Sequence, residues 1–593
     1  MSISEENPFA VTSPEKLDAS RAEQLFVEVF SDFPQVEKPG NAMIVGARGS
    51  GKSMMFRCML PDVVMKRKKC GFNEIPFVAF HIPIKNTQLK LTELKRMDNH
   101  YAAALINEHF FTLAMLIEIC AQIKKYKTLL SSDEEEWKRF FEESFVSNAE
   151  IVGYAKLPNI VKFLDCMDDI EKFFKIEYSQ FVRYVTTIRP NIDDGIPSFD
   201  LPLLSYRMFL HPFLQGIREF SGFPKERNIH LFIDDADNLS QTQTKVLNSW
   251  LGMRLQPSIS LKVSTQLGKY KSFLSTDGTL VESPHDYQLV NISDKYTTSK
   301  ATYFKRVKAV VEKRLRLSGL EIDAKEYFPV CKEQELAIEE EKKRLIAEWS
   351  VAGRGNRASD DAIRYARPNY IRNLGGTSKS RSTYVYAGLE QLVHLSSGVI
   401  RVFLESASLM YDATKKDDAY MKVQGRYIPF RVQDDVIRKV ADTYMFTRFD
   451  DLRIDERRQE DDTNRSVVTM LRNLLTSMGA TFQNILFSER SERRVFSIAL
   501  SNEPDEEIKS VLNFGVETGY LHVSSIGRKD GAGRTSLYIM NRILSPVFSL
   551  DPTSFAGYLF VTNDALRGAM YNQRLLRIES DASQEPEQLM LFE

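Results

Sequence analysis

The chain has 593 residues, 43% hydrophobic and 27% charged, which excludes a largely disordered protein and gives a length that requires about three or four domains or subdomains. A formal net charge of −1 excludes a molecule drawn bodily to nucleic acid or anionic lipid, so any such contact must come from a local patch. Five scattered cysteines without metal-ligand spacing read as reduced thiols of a cytoplasmic protein.

Met1 to Pro8 are polar and acidic and lack the apolar stretch of a signal peptide. Ala42 to Val45 predict a short strand running into a glycine-rich turn, and Met54 to Leu60 have helical spacing. Between them stands Gly46-Ala47-Arg48-Gly49-Ser50-Gly51-Lys52-Ser53, which fits GxxxxGK[ST] in the strand-loop-helix context that motif requires. Small residues let successive backbone N–H groups converge on phosphates, and the following helix presents its positive end. Lys52 then neutralises β- and γ-phosphate charge while the Ser53 hydroxyl reaches Mg²⁺, so the pattern predicts a site for ATP and Mg²⁺.

Ile75 to Ile82 read as a second strand, and from about Leu91 to Arg207 the spacing turns helical, predicting a large helical insertion. Its most apolar segment, Phe110 to Ile123, is too short for a membrane span and carries Glu118, so no membrane partner is expected. Ile229 to Ile233 form a buried strand ending in Asp234 and Asp235, at the sheet edge where open α/β sheets bind ligands. Asp234 is expected to hold the metal indirectly, and Asp235 stands where the ATPases this pattern resembles carry a longer glutamate that polarises the attacking water. A helix over Thr242 to Leu251, a strand over Ser260 to Ser264 and a last core strand over Tyr287 to Ile292 follow.

Tyr303 to Leu315 predict a helix that leaves the sheet, and Glu333 to Ser350 another. Gly353 to Thr383 is rich in Arg, Lys, Gly, Ser and Tyr and is expected as an exposed loop, in which Arg367 and Arg372 interleave with Tyr365 and Tyr370 either as an ordinary solvated patch or as candidate nucleic-acid contacts. Helical spacing resumes over Leu389 to Asp412. From Gly425 to Leu550 the order is that of a winged helix: helices, a strand near Arg494 to Ser501, a helix over Asp505 to Glu517, then a hairpin over Tyr520 to Asn541. Its tip carries Arg528, Lys529 and Arg534, suited to phosphates, but the preceding helix opens on Asp505-Glu506-Glu507, which a major groove would repel. An acidic tail closes the chain.

The Gly46–Ser53 loop, the Ile233-Asp234-Asp235-Ala236-Asp237 strand end, the polar strand end Ser264-Thr265-Gln266 and Ser397-Gly398-Val399-Ile400-Arg401 together resemble AAA+ and STAND ATPases, nearest to the origin-recognition and cell-division-control initiator branch. The resemblance covers roughly residues 7 to 410 and does not explain the helical insertion; with the residue pattern it implies an α/β fold: an N-terminal segment (1–40), a P-loop parallel sheet with a helical insertion (41–295), a helical lid (296–424), a winged-helix-like domain (425–550) and a C-terminal segment with a flexible tail (551–593). It implies slow ATP hydrolysis, a homo-oligomer and action at DNA, with Thr265 facing the γ-phosphate, Gln266 as the alternative, and Arg401 reaching the nucleotide from the lid. The sequence departs from the family where a trans-acting arginine finger is usual: Lys269 and Lys271 stand there, which favours either a STAND-like switch or a finger from elsewhere, with Arg254 as a candidate. Gln588-Leu589-Met590-Leu591-Phe592 resembles the pentapeptide with which bacterial proteins dock on the DNA polymerase sliding clamp. That resemblance implies clamp docking and a bacterial or mobile-element setting such as antiviral defence. The competing expectation is a STAND-type sensor that activates a separately encoded effector without binding DNA.

Overall fold

The runs Ala42–Gly46 (β1), Phe77–Pro83 (β2), Asn228–Asp234 (β3), Ile259–Gln266 (β4) and Gln288–Asn291 (β5) pair into one sheet in the order β2-β3-β4-β1-β5, every neighbour parallel. The structure is a computed structural model that describes residues 6–27, 32–85, 94, 102–154, 166–187, 199–253, 258–292, 300–351, 358–375, 383–415, 426–457, 466–488, 494–527, 533–553 and 557–576. Two compact units divide the chain, residues 12–294 and residues 1–11 with 295–593.

In the first unit the sheet is covered on both faces: β3 is buried from Ile229 to Asp234, and β4 is buried from Ile259 to Thr265 although Ile259, Leu261 and Val263 alternate there with Ser260, Lys262 and Ser264. One face packs Ile44, Phe77 and Phe232 against the helix Lys52–Cys58 (α1), with the Phe56 ring stacked on Phe232 at 4.5 Å. The other face packs Leu231, Ile233 and Val263 into a core that continues through the insertion. The insertion contains Ala103–Lys125 (α2) and Cys166–Thr187 (α3). Phe110 of α2 stacks on Phe181 of α3 at 5.0 Å. Phe111 stacks at 4.8 Å on Trp250 of the helix Gln241–Gly252 (α4), which begins at a Ser240/Gln243 capping box. Each such aromatic pair contributes about 0.5–1.5 kcal/mol beyond its buried area. Helix α2 runs past the apolar segment seen in the sequence and reaches 23 residues, long and apolar enough by composition to cross a bilayer. Its Phe110, Leu113, Leu116 and Ile119 are instead buried in this core.

The second unit contains Lys300–Leu317 (α5), Lys332–Val351 (α6), Ala358–Gly375 (α7), Leu389–Leu395 (α8) and Ile400–Thr414 (α9). Helix α7 corrects the sequence reading, which expects an exposed loop over 353–383. Its cations and tyrosines conceal an apolar stripe: Ala362 and Ala366, four residues apart, pack with Ile338 and Leu345 of α6, and Tyr365 meets Trp349 edge-on at 5.4 Å. Between α8 and α9 the chain turns through two positive-φ residues, Ser397 (49°) and Gly398 (81°).

Further along, Val467–Phe487 (α10), Glu506–Glu517 (α11) and Asn563–Asn572 (α12) accompany a sheet of Val495–Leu500 (β6), Leu521–Gly527 (β7), Arg534–Met540 (β8) and Gly557–Val561 (β9). The order is β7-β8-β6-β9; β7 and β8 form an antiparallel hairpin and β9 lies parallel to β6. Ordered structure thus continues past residue 550, where the sequence reading places a terminal segment.

Candidate nucleotide site

The loop after β1 folds around its own lysine. Gly49 (φ 84°) and Gly51 (φ 105°) take backbone conformations that side chains disfavour, and the chain re-enters helix at Lys52. Lys52 is 5% exposed, and its ammonium donates to the carbonyls of Gly46 at 2.8 Å and Ala47 at 3.1 Å. The Ser50 hydroxyl is buried and has no hydrogen-bond partner, a cost that a ligand oxygen would relieve. Arg48 is exposed.

Asp234 ends β3 opposite this loop, 2% exposed. Its Oδ1 accepts from the Ser264 hydroxyl and from the Asp235 N–H at 3.1 Å; its Oδ2 lies 3.2 Å from His81 Nε2. Burial opposes its ionisation, but hydrogen bonds from His81, Ser264 and Ser53 outweigh that and hold the carboxyl below the usual carboxylate range. The Ser53 hydroxyl is thus near enough to the Asp234 carboxylate to help hold it ionised, which brings the loop and the strand end to one place. Hard oxygen donors of this kind, a hydroxyl and an ionised carboxylate, fit Mg²⁺, and a buried lysine beside positive-φ glycines fits a polyphosphate.

Asp235 sits in the left-handed region (φ 57°), unusual for a residue other than glycine. Its N–H is held there by the Ser264 hydroxyl at 2.9 Å as well as by Asp234. Burial first, then the charges of Asp234 and Asp237, push its carboxyl up to about 6. Strand alternation divides the end of β4. Ser264 and Gln266 share the face of Asp234, whereas Thr265, 1% exposed, shares the face of Val263. Asp237 accepts from the Gln266 N–H at 3.1 Å and from Gln266 Nε2 at 3.0 Å, tying the turn after β3 to the end of β4. Lys271 donates to the Leu239 carbonyl; Arg254 lies outside the described residues.

Sequence reading missed His81, and missed the roles of Ser264 and Asp237. The available signal was a polar side chain interrupting a buried run: His81 within Phe77–Pro83, and Ser264 within Ile259–Gln266.

In the second unit Arg401 is half-buried in the first turn of α9. Arg367 donates to the Tyr384 hydroxyl at 2.6 Å and to Glu335 at 2.9 Å. Arg372 is half-buried on α7. Arg534 is exposed and reaches across the hairpin to Ser525, Nε to the hydroxyl at 2.8 Å and Nη2 to the carbonyl at 3.0 Å. Arg528, Lys529, Gln588, Leu589, Leu591 and Phe592 lie outside the described residues. The acidic start of α11 is engaged by α12: Arg567 pairs with Asp505, and the Tyr571 hydroxyl donates to Glu507 at 2.6 Å.

The family model ORC-CDC6-like matches this sequence over residues 7–352 and 343–560. No curated protein matches it. Among solved structures, that of Cdc6p from Pyrobaculum aerophilum is similar over 91% of this chain and 97% of that one, at 11% identity and a TM-score of 0.27, a likeness too loose to carry function across.

Proposed function

From the premise that this chain belongs to the ORC-CDC6-like family, we propose that it is a Mg-ATP-dependent switch of the initiator kind that hydrolyses ATP slowly and acts at DNA. The observation that carries this reading is a buried Lys52 in its positive-φ loop opposite the buried, ionised Asp234 carboxylate, with the Ser53 hydroxyl beside it. Lys52 would hold the β- and γ-phosphates, exchanging loop carbonyls for phosphate oxygens. Ser53 and Asp234 would hold Mg²⁺, whose bound charge neutralises the phosphates and orients them. Asp235 would accept the proton of the attacking water at its carboxylate. Gln266 shares the face of Asp234, which supports it as the strand-end residue toward the γ-phosphate, while Thr265 retains that role only by family pattern. Arg401 is assigned the coupling of nucleotide state to the second unit. The hairpin β7–β8 with α11 is read as a winged helix, and a sliding clamp is the proposed partner of Gln588 to Phe592, in a bacterial or antiviral-defence setting.

A second reading, a STAND-type sensor that assembles and activates an effector without DNA, is favoured by the internal engagement of Arg367 and by the acidic start of α11. Phosphate release with and without duplex DNA separates the two. Stimulation by DNA is expected under the first reading, indifference under the second. In either case Lys52→Ala should weaken Mg-ATP binding by roughly 10–100-fold, the loss of one charge-assisted interaction in a buried site; parent-like binding, measured by calorimetry, would remove the basis of both.

A further inference from the structure

The helical insertion and the nucleotide site touch through one side chain that the motif pattern leaves out. β2 is an edge strand, so half of its backbone groups have no strand partner. At His81 the amide of Gln122, on helix α2, takes the place of the missing strand. The His81 N–H donates to Gln122 Oε1 at 2.9 Å, and Gln122 Nε2 donates to the His81 carbonyl at 2.8 Å. The second N–H of that amide donates to the Glu118 carbonyl at 3.1 Å, which fixes the amide's orientation on α2. The His81 ring, 9% exposed as a residue, then reaches Asp234 Oδ2 at 3.2 Å. Because Ser264 and the Asp235 N–H occupy the other oxygen, both ends of the carboxylate are held, and the direction in which it faces Ser53 is set before any ligand arrives.

We propose that His81 is a positioning residue for Asp234, and that the Gln122 clamp on its backbone makes α2 the element through which the insertion and the nucleotide site influence each other. The proposal rests on the reading of Asp234 as the metal-holding carboxylate. Two consequences follow physically. A group that orients a metal ligand from behind is worth about 10–100-fold in metal affinity. Linkage is reciprocal, so a partner that displaces α2 changes metal-nucleotide affinity by the same factor by which nucleotide changes that partner's affinity.

The test uses the full chain, with calorimetric binding of ATP titrated against Mg²⁺ and, in parallel, ATP binding in EDTA. His81→Ala is expected to raise the Mg²⁺ concentration for half-maximal tight binding about tenfold while leaving binding in EDTA at the parent value; His81→Gln, which restores an N–H donor, should recover most of the loss. Gln122→Ala should raise the same Mg²⁺ requirement by roughly two- to tenfold, and the double variant should cost less than the product of the two. Hydrogen exchange should report Mg-ATP protection of α2 in the parent and its loss in Gln122→Ala. If His81→Ala keeps the parent's Mg²⁺ requirement while Asp234→Ala loses it, the positioning role is wrong and the nucleotide site stands. If Asp234→Ala itself binds with the parent's requirement, the nucleotide-site reading fails. Multiplying effects in the double variant overturn the coupling to α2. Should His81→Ala not fold, a parent-like requirement in both His81→Gln and Gln122→Ala refutes the proposal, and a raised one in Gln122→Ala supports it.

Discussion

At the C-terminal ends of β3 and β4 the polar side chains are buried and bonded to one another. Ser264 and His81 hold Asp234, Asp237 holds Gln266, and Lys52 is wrapped by its loop. In the second unit the cations that composition marks out are handled differently. Arg367 is spent on Glu335 and Tyr384, and Arg534 on the facing strand. The difference teaches that buried polar convergence is a far stronger sign of a working site than local charge. Burying Asp234 costs heavily unless every partner is in place, whereas an arginine on a half-exposed helix can serve the fold alone.

That contrast can be broken at several points. Asp235→Asn should carry the largest effect, a fall of about 10²–10⁴-fold in ATP hydrolysis with Mg-ATP binding retained, because an amide cannot take the proton; phosphate release under single-turnover conditions reads it, and undiminished release would show that Asp235 is not the base. Arg367→Ala should destabilise the second unit by about 1–3 kcal/mol by leaving the Glu335 and Tyr384 contacts unmade, without a matching loss of DNA affinity. A loss of DNA affinity at unchanged melting temperature would instead restore Arg367 as a phosphate contact.

A pH prediction comes from Lys262, 1% exposed in β4, whose ammonium donates to the carbonyls of Lys38 and Gly40 at 2.6 Å each. Burial lowers its pKa from 10.5 to about 7, and a neutral amine still has the two N–H groups those carbonyls need. The unfolded chain therefore holds a proton that the folded chain has released between about pH 7 and 10.5, so this group makes stability rise with pH across that window. In Lys262→Met the rise in melting temperature over the same range should be smaller than in the parent; an unchanged pH profile would refute the burial argument. Arg534→Ala should show the smallest effect: melting within about 0.5 kcal/mol of the parent, and a log-log salt slope of DNA binding lower by about one if the hairpin touches a phosphate. An unchanged slope would count for the sensor reading.

Local pattern was enough for β2 and β3, whose long buried and mainly apolar runs require cover on both faces, and for the loop from Gly46 to Ser53, where Gly49 and Gly51 take the positive φ that side chains disfavour. It also placed Asp234 at a strand end. Tertiary structure alone decided what holds Asp234. His81 lies 153 positions away and Ser264 lies 30 positions away along the chain, and pairing at such distances is set by strand order and register, which no local pattern encodes. It likewise decided that residues 358–375 are helical: the alanine stripe becomes apolar burial only when α6 is laid against it, since helix stability in proteins comes chiefly from the packed face.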